Sequence, residues 1–379
     1  MKNKPRLLLV YFTYLENQPR AYKQWLCLKD YFDIIEVSFG PSGRVKTSYE
    51  VKDLPRPSIL LKCWWAITLL LGDYSAYLKR YSVAEYSTLK QMEFDLVIAH
   101  DIESCPLAFS LAGNTPVIID LHEYLPEVCT EAFFWRVFFQ RPITNLCKKY
   151  LPKAAGLLTV SEGLAEKYQQ KFGVIPAVNY NSPPFIEQEP SSSDNESIDL
   201  VHHGIAAQGR CIHVLFELLD KLDTRFTLHT YLVGKGEYYE RIRDIAISHP
   251  RVVWHEPVPL TEISRELNQY DIGITLLPSC NANHELTIGN KIFEFIQARL
   301  AVAAWPTKGV KSIVDKYNTG FCSEKDDIAT MAARLNSLTM DELASYKSNS
   351  HVAAKELTAE KSMAVIVEMV RKQVPNAFQ

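Results

Sequence analysis

The stretch Gly289-Asn290-Lys291-Ile292-Phe293-Glu294-Phe295 decides how the rest of this sequence is interpreted. An apolar run at 272–278 precedes it and ends in proline, a pattern that predicts a buried strand. A polar loop at 279–288 follows, and a helix is predicted to begin with Asn290 at its N-cap, where a side-chain oxygen can accept an amide of the first turn. The stretch therefore predicts a strand, a loop and a helix in succession.

This helix start has the properties of an anion site. The positive end of the helix dipole and the amides of the first turn favour a phosphate. Glu294 stands one turn later in an otherwise apolar helix, and a buried carboxylate is costly unless it is hydrogen-bonded. A ribose diol supplies two donors, so the pattern fits a nucleoside diphosphate. The alternative is an ordinary cap at Asn290 and a surface carboxylate at Glu294, and the local sequence does not decide between them.

Composition limits the classes to which the protein can belong. The chain has 379 residues, 47% hydrophobic and 22% charged, which predicts a globular protein of two domains. The net charge of −3 provides no global basic field for nucleic acid. The eight cysteines form no C-x-x-C pair, and no signal-like segment precedes the first apolar run, so we expect a cytoplasmic protein with reduced thiols. No apolar run reaches the roughly 18 to 20 residues of a membrane span.

Apolar runs alternate with helical segments in both halves of the chain, which predicts an α/β fold with two doubly wound, Rossmann-like domains. A linker rich in Pro, Ser and acidic residues is predicted at 181–197, between domains at 1–180 and 198–355 that face each other across a cleft. The predicted strands are 6–12, 34–39, 95–101, 116–123 and 156–160 in the first domain, and 200–204, 226–234, 252–255, 272–277 and 301–305 in the second.

Polar residues end two of the strands predicted in the first domain. His100 and Asp101 end one strand, and His122 and Glu123 end the next. Ligands of open parallel sheets bind at the carboxyl ends of the strands, so we expect these side chains to have a function. Arg20 lies near the start of the helix that follows the first strand, where the dipole disfavours a cation, and this position suggests a bound anion there. A solvated surface cation is the alternative.

Two stretches combine apolar and basic residues. Residues 58–71 are strongly apolar and are followed by Lys79 and Arg80, and residues 132–141 join aromatic residues to two arginines, with two lysines further on. Such mixtures suit a membrane interface, where aromatic side chains reach the acyl boundary and cations meet anionic head groups. The sequence thus predicts peripheral membrane contact through 58–80 and 132–149, on the inner face of the membrane. Two core-facing helices are the alternative.

Taken in order, these motifs resemble a known family, the retaining glycosyltransferases of family 4 (glycosyl transferases group 1) with the GT-B fold. The resemblance runs along nearly the whole chain. It rests on His100-Asp101, Asp120-Leu121-His122-Glu123, 159–164, Asn181-Ser182-Pro183, His203-Gly204 with Arg210, 232–236, 255–259 and 290–294.

The resemblance implies a nucleotide-diphosphate sugar as co-substrate, no cofactor and no metal. Glu294 would hold the ribose, Arg210 and Lys291 would face the diphosphate, and His122 would lie beside the reacting anomeric carbon. The acceptor would be a glycan or a lipid-linked hydroxyl in cell-surface polysaccharide or glycoconjugate synthesis, and a C-terminal helix at 356–379 would pack back toward the first domain. The implied site comprises catalytic His122, Arg210 and Lys291, donor-binding Gly204, Gly234, Glu285, Gly289, Asn290 and Glu294, and acceptor-side Arg20, His100, Asp101 and Glu123.

Three positions depart from the family pattern. The family commonly has a second glutamate eight positions before Glu294, where this chain has Leu286, with Glu285 one position out of register. Residues 13–19 contain no glycine, and Ile205 stands where many members have arginine. Two alternative functions therefore stay open at this point, a non-catalytic GT-B partner subunit and a sugar-nucleotide epimerase on the same fold.

Overall fold

The computed structural model describes residues 4–15, 18–54, 57–83, 85–192 and 197–379. Positions 16–17 of the predicted loop at 13–19, and positions 193–196 of the predicted linker, lie outside the described residues. The chain divides into two compact units. The first comprises residues 1–181, 281–283 and 362–379, and the second comprises residues 182–280 and 284–361.

The first unit is built on one eight-stranded sheet. Its strands are β1 (Arg6–Val10), β2 (Asp33–Ser38), β3 (Thr47–Asp53), β4 (Tyr81–Val83), β5 (Leu96–His100), β6 (Val117–Leu121), β7 (Gly156–Thr159) and β8 (Ala177–Val178). Their order is β4-β3-β2-β1-β5-β6-β7-β8, and every pair is parallel except β3 with β4. Every residue of β5 and β6 is buried, as their continuous apolar sequences require for strands covered on both faces.

The second unit has a parallel sheet of six strands. They are β9 (Ile198–Ile205), β10 (Phe226–Val233), β11 (Val252–His255), β12 (Ile272–Thr275), β13 (Ala301–Ala304) and β14 (Gly320–Cys322). Their order, β11-β10-β9-β12-β13-β14, places β9 and β12 side by side at the centre. The strand order reverses between these two neighbours, and such a switch point is where ligands bind in sheets of this kind.

Helices connect the strands in both units. The α-helices are α1 (Pro19–Leu28), α2 (Ile59–Leu70), α3 (Ser75–Leu78), α4 (Tyr86–Gln91), α5 (Cys105–Ala112), α6 (Phe133–Trp135), α7 (Arg141–Tyr150), α8 (Glu162–Phe172), α9 (His213–Leu219), α10 (Glu237–Ser248), α11 (Ile263–Glu266), α12 (Ala282–Leu286), α13 (Asn290–Gln297), α14 (Lys308–Tyr317), α15 (Ile328–Asn336), α16 (Met340–Ala354) and α17 (Ala359–Gln373). A π-helix, Arg136–Gln140, joins α6 to α7, and 3-10 turns occupy Ile102–Ser104, Leu125–Glu127, Leu151–Lys153, Gln208–Arg210, Leu267–Gln269 and Pro375–Phe378. In the described part of the chain, none of these helices has the length and apolar character that crossing a bilayer requires.

Each unit has its own apolar core. In the first, Leu7 and Leu9 of β1 pack in one cluster with Met363, Ile366 and Val370 of α17. The core of the second unit contains residues from the strands β9, β10, β12 and β13, and from the helices α9, α10 and α15. The last helix of the chain thus completes the core that the first strand begins.

The segment predicted as the linker packs on the second unit in its described part. Residues 182–192 have no regular secondary structure, yet hydrogen bonds join them to the rest of the unit. The guanidinium of Arg299 donates to the carbonyl of Ile186 at 2.6 Å, and the amide of Gln188 donates to the carbonyl of Gln297 at 2.8 Å. Proline and serine in this segment therefore mark irregular backbone whose polar groups are satisfied by the protein, as buried backbone requires.

Candidate functional site

Five side chains and backbone positions meet at the carboxyl edge of the second sheet. His203 and Gly204 end the central strand β9, and Arg210 follows in the 3-10 turn Gln208–Arg210. Lys291 and Glu294 lie in the first turns of α13, which follows the neighbouring strand β12. The switch point of the sheet thus gathers two cations, one carboxylate and the start of a helix.

Gly204 allows Lys291 to approach the backbone closely. A Cβ atom built on Gly204 would lie 3.0 Å from both Cε and Nζ of Lys291, and the backbone φ there is +117°. An L-residue with a side chain is strained in that region of φ, and glycine is not. The glycine therefore both permits this backbone conformation near the end of β9 and leaves room for the lysine ammonium.

Burial and neighbouring charges set the pKa of Lys291. Burial lowers the pKa of its ammonium, the nearby positive Arg210 lowers it further, and Glu294 offsets part of this, which leaves a pKa of about 8. A second positive charge close to a desolvated ammonium is unfavourable without an anion. The pair Arg210 and Lys291 therefore forms a local excess of positive charge that a diphosphate would neutralise.

Glu294 has a histidine as its neighbour. The Nε2 atom of His203 lies 3.2 Å from its Oε2 atom, and the two side chains are 5% and 13% exposed. The imidazole ring is also in edge contact with Phe295, at 5.5 Å between ring centroids. His203 thus lies against one carboxylate oxygen of Glu294.

The start of α13 differs from the prediction in one respect. The N-cap is Gly289, with an extended backbone, and Asn290 is the first helical residue. Asn290 therefore does not cap the helix as the sequence predicted. A glycine cap has no side chain, so it cannot place an oxygen over the first-turn amides as asparagine would. No side-chain oxygen of the cap residue therefore competes with an anion for the first-turn amides.

The remaining predicted donor residues lie in neighbouring loops. Gly234 follows β10, and a Cβ atom there would lie 2.7 Å from the ring of Tyr239 and 3.2 Å from the carbonyl oxygen of Ala206. Glu285 lies in α12, where its Oε2 accepts a hydrogen bond of 2.5 Å from the hydroxyl of Ser279. The structure therefore explains Gly234 by packing and leaves the donor roles of both residues as predictions.

The first unit has a separate polar cluster at the carboxyl end of β6, centred on Asp120. This carboxylate is fully buried and accepts hydrogen bonds from three donors on α1. Nε and Nη2 of Arg20 donate at 3.1 and 2.5 Å, and Nε2 of Gln24 donates at 2.5 Å. The remaining Arg20 donor bonds the carbonyl of Asn179 at 2.5 Å. The sequence predicted an anion at Arg20, and the anion in the structure is the protein's own Asp120; Arg20 is 2% exposed, so contact with an acceptor would be indirect.

Two histidines extend this cluster toward the surface. Nδ1 of His100 lies 3.1 Å from Nε2 of His122, and that Nε2 lies 3.6 Å from Oδ2 of Asp120. On its other side, Nδ1 of His122 lies 3.4 Å from Oδ2 of Asp101, whose Oδ1 accepts the backbone N–H of His122 at 2.9 Å. His100 is buried, whereas His122 and Asp101 are 12% and 27% exposed at their side chains. Glu123 is exposed.

The protonation states of the cluster follow from these neighbours. Burial alone would raise the pKa of Asp120, but Arg20 and His122 more than offset it and hold that pKa well below its usual range. Burial and the neighbouring His122 lower the pKa of His100 to about 3. Burial disfavours charge on His122 as well, yet the carboxylates of Asp101 and Asp120 raise its pKa. The two acidic neighbours of His122 thus outweigh the effect of burial on its pKa.

His100, Asp120 and His122 also form the one group of potential metal ligands found in the described part of the chain. Their ligand atoms lie within 4.8 Å of one another. However, Arg20 and Gln24 already occupy the Asp120 carboxylate, and the guanidinium charge opposes a second cation there. The donor set therefore fits a hydrogen-bonded network better than an ion.

Sequence reasoning missed His203 and Gln24. His203 was quoted only as part of a motif, and its contact with Glu294 depends on β9 and α13 being neighbours. Gln24 lies 96 positions from Asp120, and no local pattern connects them. Its position one turn after Arg20 on α1 is the single signal that could have found it, since residues i and i+4 share a helix face.

Comparison with known proteins agrees with this architecture. Residues 200–341 match the family of glycosyl transferases group 1. No curated protein sequence matches the chain. Sucrose-phosphate synthase from Thermosynechococcus elongatus has 12% identity and a TM-score of 0.72, over 99% of this chain and 100% of that protein. HepE from Anabaena, solved with UDP and glucose, has 15% identity and a TM-score of 0.68, over 97% of this chain and 100% of HepE.

TarM of S. aureus, solved with UDP and α-GlcNAc-glycerol, has 14% identity and a TM-score of 0.56. It matches 75% of this chain, which spans 57% of the length of TarM. These similarities concern the fold of the chain. The fold that the sequence predicted is confirmed: the protein has the GT-B fold of two Rossmann-like units, and its residues 200–341 match the family of glycosyl transferases group 1.

Proposed function

We propose that the protein transfers a sugar from a nucleotide-diphosphate sugar to a hydroxyl of a glycan or lipid-linked acceptor, with retention of the anomeric configuration. The group 1 match and the GT-B fold support glycosyl transfer in general. Retention, the acceptor and a role in cell-surface polysaccharide or glycoconjugate synthesis belong to the proposal. HepE was solved with UDP and glucose, so UDP is the first nucleotide to test here.

One observation carries the proposal, the group formed by Lys291, Arg210 and Glu294 beside Gly204. A diphosphate seated at the start of α13 would lie against both cations, and the ribose diol would donate to the carboxylate of Glu294. Arginine binds phosphate as a planar fork and lysine as a compact charge, so the two are complementary in this role. Burial and the positive charge of Arg210 lower the pKa of Lys291, and a bound diphosphate would neutralise that charge.

The chemical step follows from this charge distribution. The bond between the anomeric carbon and the diphosphate oxygen breaks, and negative charge develops on the departing diphosphate. Arg210, Lys291 and the helix terminus stabilise that charge, which is the main demand of the reaction. The acceptor oxygen attacks the same face of the sugar, and its proton passes to the departing phosphate oxygen. No covalent intermediate with the protein is needed for retention by this route.

His122 has a different role in the proposal. Its imidazole lies between Asp101 and Asp120, whose carboxylates raise its pKa against the effect of burial. We assign it to hydrogen bonding with the sugar or acceptor in the transition state. Such a contact would raise the rate without strengthening nucleotide binding.

A nucleotide screen tests the proposal. Thermal denaturation with UDP, GDP, ADP, CDP and dTDP should show one preferred nucleotide that raises the melting temperature, because binding to the native state stabilises it. Incubation with the matching nucleotide-sugars and a hydroxyl acceptor should then release the free diphosphate. Nucleotide binding without release would favour the non-catalytic partner subunit, and interconversion of sugar epimers would favour the epimerase. Absence of any shift with all five would contradict the donor site.

A further inference from the structure

The exposed face of α2 is apolar. Leu60, Trp64, Ile67 and Leu71 are 83%, 56%, 52% and 71% exposed. Their spacing of four, three and four residues places them on one side of a helix. Trp65 and Leu69 are buried on the other side, so α2 is apolar on both sides. A surface helix of a water-soluble domain normally has polar residues on its exposed face, so this face is built to meet something other than water.

A second apolar group lies beside this face. Phe133 and Phe134 of α6 are 64% and 73% exposed. The two stretches are packed together, since α2 contacts both α7 and the π-helix Arg136–Gln140. The side-chain amide of Asn145 donates to the carbonyl of Gly72 at 2.9 Å, and further ring contacts join the stretches. Residues 58–80 and 132–149 therefore form one surface of the first unit, here called the α2–α6 surface.

The charges of this surface are almost all positive. Its two stretches contain seven basic residues and one acidic residue, whereas the whole chain has a net charge of −3. The basic residues are Lys62, Lys79, Arg80, Arg136, Arg141, Lys148 and Lys149, and the acidic residue is Asp73. Except for Arg80, which pairs with Asp53, none of them has a carboxylate within salt-bridge distance among the described residues. An apolar face bordered by such cations fits a partner that is apolar and anionic.

We propose that the α2–α6 surface docks on an anionic lipid bilayer, with α2 lying in the plane of the interface. The apolar side chains would enter the acyl boundary while the cations meet lipid phosphates, each basic residue increasing affinity by about fivefold. α2 is 12 residues long, about 18 Å, so it can lie on a bilayer and cannot cross it.

A second copy of the chain fits this surface less well. A two-fold symmetric dimer brings the same patch of both copies together, so each cation would face the cations of its partner. That repulsion opposes the free energy gained by burying the apolar side chains. An anionic bilayer attracts the cations and adds to that gain. A lipid-linked acceptor would lie at such a bilayer; that link to the acceptor rests on the proposed function, but the binding to lipid does not.

Vesicle flotation tests the proposal. Full-length protein should float with vesicles of phosphatidylcholine containing phosphatidylglycerol at low salt, and less so with pure phosphatidylcholine or at high salt. Trp64→Ser with Leu60→Ser should lower the vesicle-bound fraction, and Lys62→Glu with Arg136→Glu should lower it at least about fivefold. Matched controls are Ile247→Ser, an apolar residue 62% exposed in the second unit, and Lys355→Glu, an exposed lysine of that unit.

Three outcomes would overturn the proposal. They are no flotation with anionic vesicles, equal loss of binding in the control variants, and a dimer in solution that Trp64→Ser dissociates, which would make a second copy the occupant. Nucleotide-induced thermal stabilisation, measured on the same samples, separates this result from the donor site. Stabilisation without flotation would end the membrane proposal alone, and flotation without stabilisation would contradict only the transferase.

Discussion

Nε2 of His203 lies 3.2 Å from Oε2 of Glu294, across the junction of β9 and α13. The carboxylate that the proposal assigns to the ribose therefore lies against a strand residue. This contact limits the positions open to the carboxylate, which lowers the ordering cost of binding a ligand.

Glu294→Ala should weaken binding of the preferred nucleoside diphosphate by about 1.5 to 3 kcal/mol, because a charged acceptor is lost. His203→Ala should weaken it less, and the two changes together should cost less than their sum, since His203 acts through Glu294. Isothermal calorimetry on the four proteins measures both effects. Unchanged affinity in Glu294→Ala would exclude the ribose role.

The affinity for that diphosphate should depend on the protonation of Lys291. The free ammonium has a pKa of about 8, and a bound diphosphate favours its charged form. Affinity should therefore fall as the pH rises through 8, by about tenfold or more once the lysine is neutral. Lys291→Arg keeps its charge over this range and should bind with a flat pH profile. A parent protein as flat as the arginine variant would place the diphosphate elsewhere.

Gly204→Ala should affect both stability and binding. The strained φ of +117° makes an alanine there unfavourable by about 1 to 3 kcal/mol. The new methyl would also displace the end of Lys291 and weaken nucleotide binding. Gly209→Ala is the control, because a Cβ there meets no atom within 4 Å and its φ is not positive. Urea denaturation and calorimetry of both variants decide the matter; equal effects at the two glycines would contradict the close-approach argument.

His122→Ala should bind nucleotide as the parent does and transfer sugar at least about tenfold more slowly, equal to about 1.4 kcal/mol of barrier. Asp101 and Asp120 raise the pKa of His122, so activity that needs the imidazolium should fall as the pH rises through that pKa. Asp101→Asn removes one of these charges, so the fall should move to lower pH. Steady-state rates across pH measure this, and parental turnover in His122→Ala would make the residue structural.

Arg20→Met should destabilise the first unit by about 3 to 5 kcal/mol, because it leaves the buried Asp120 carboxylate without its main partner. The depressed pKa of Asp120 gives a stabilisation that is present above its unfolded pKa of about 3.9 and is lost as the pH falls below it. The variant should lose less stability on acidification. Chemical denaturation at several pH values measures this; Arg44→Met, at an exposed cation over Tyr22, is the control and should change little.

The sequence predicted the longer buried strands and missed strands that are short or largely exposed. Runs such as 95–101 and 116–123 lie within two residues of β5 and β6, since a fully buried strand is continuously apolar. β3 was missed because only Val51 of its residues is buried, so no apolar pattern marks it. β8 and β14 have two and three residues, too few for any periodicity to show.

The candidate site also contains residues that the sequence identified and partners that it did not. Gly204, Lys291 and Glu294 lie near ends of elements, and the sequence identified them by motif. The partners that control their charge come from elsewhere in the chain, and only the fold brings them together. His100 and Asp120 are register neighbours on β5 and β6. Pairing the two predicted strands would therefore have placed them side by side. The contact of Asp120 with α1 had no comparable signal.

The packing of α17 on β1 has a consequence for how the protein is made. Met363, Ile366 and Val370 fill the same core as Leu7 and Leu9, so residues at opposite ends of the chain share one interior. During synthesis the ribosome releases the first sheet long before the helix that seals it. The apolar surface of β1 and α1 therefore stays uncovered in the nascent chain until α17 is made. The core of the second unit lies between residues 198 and 343, so all of its residues are made before α17. The half of the protein that is made first is thus the half whose core is completed last.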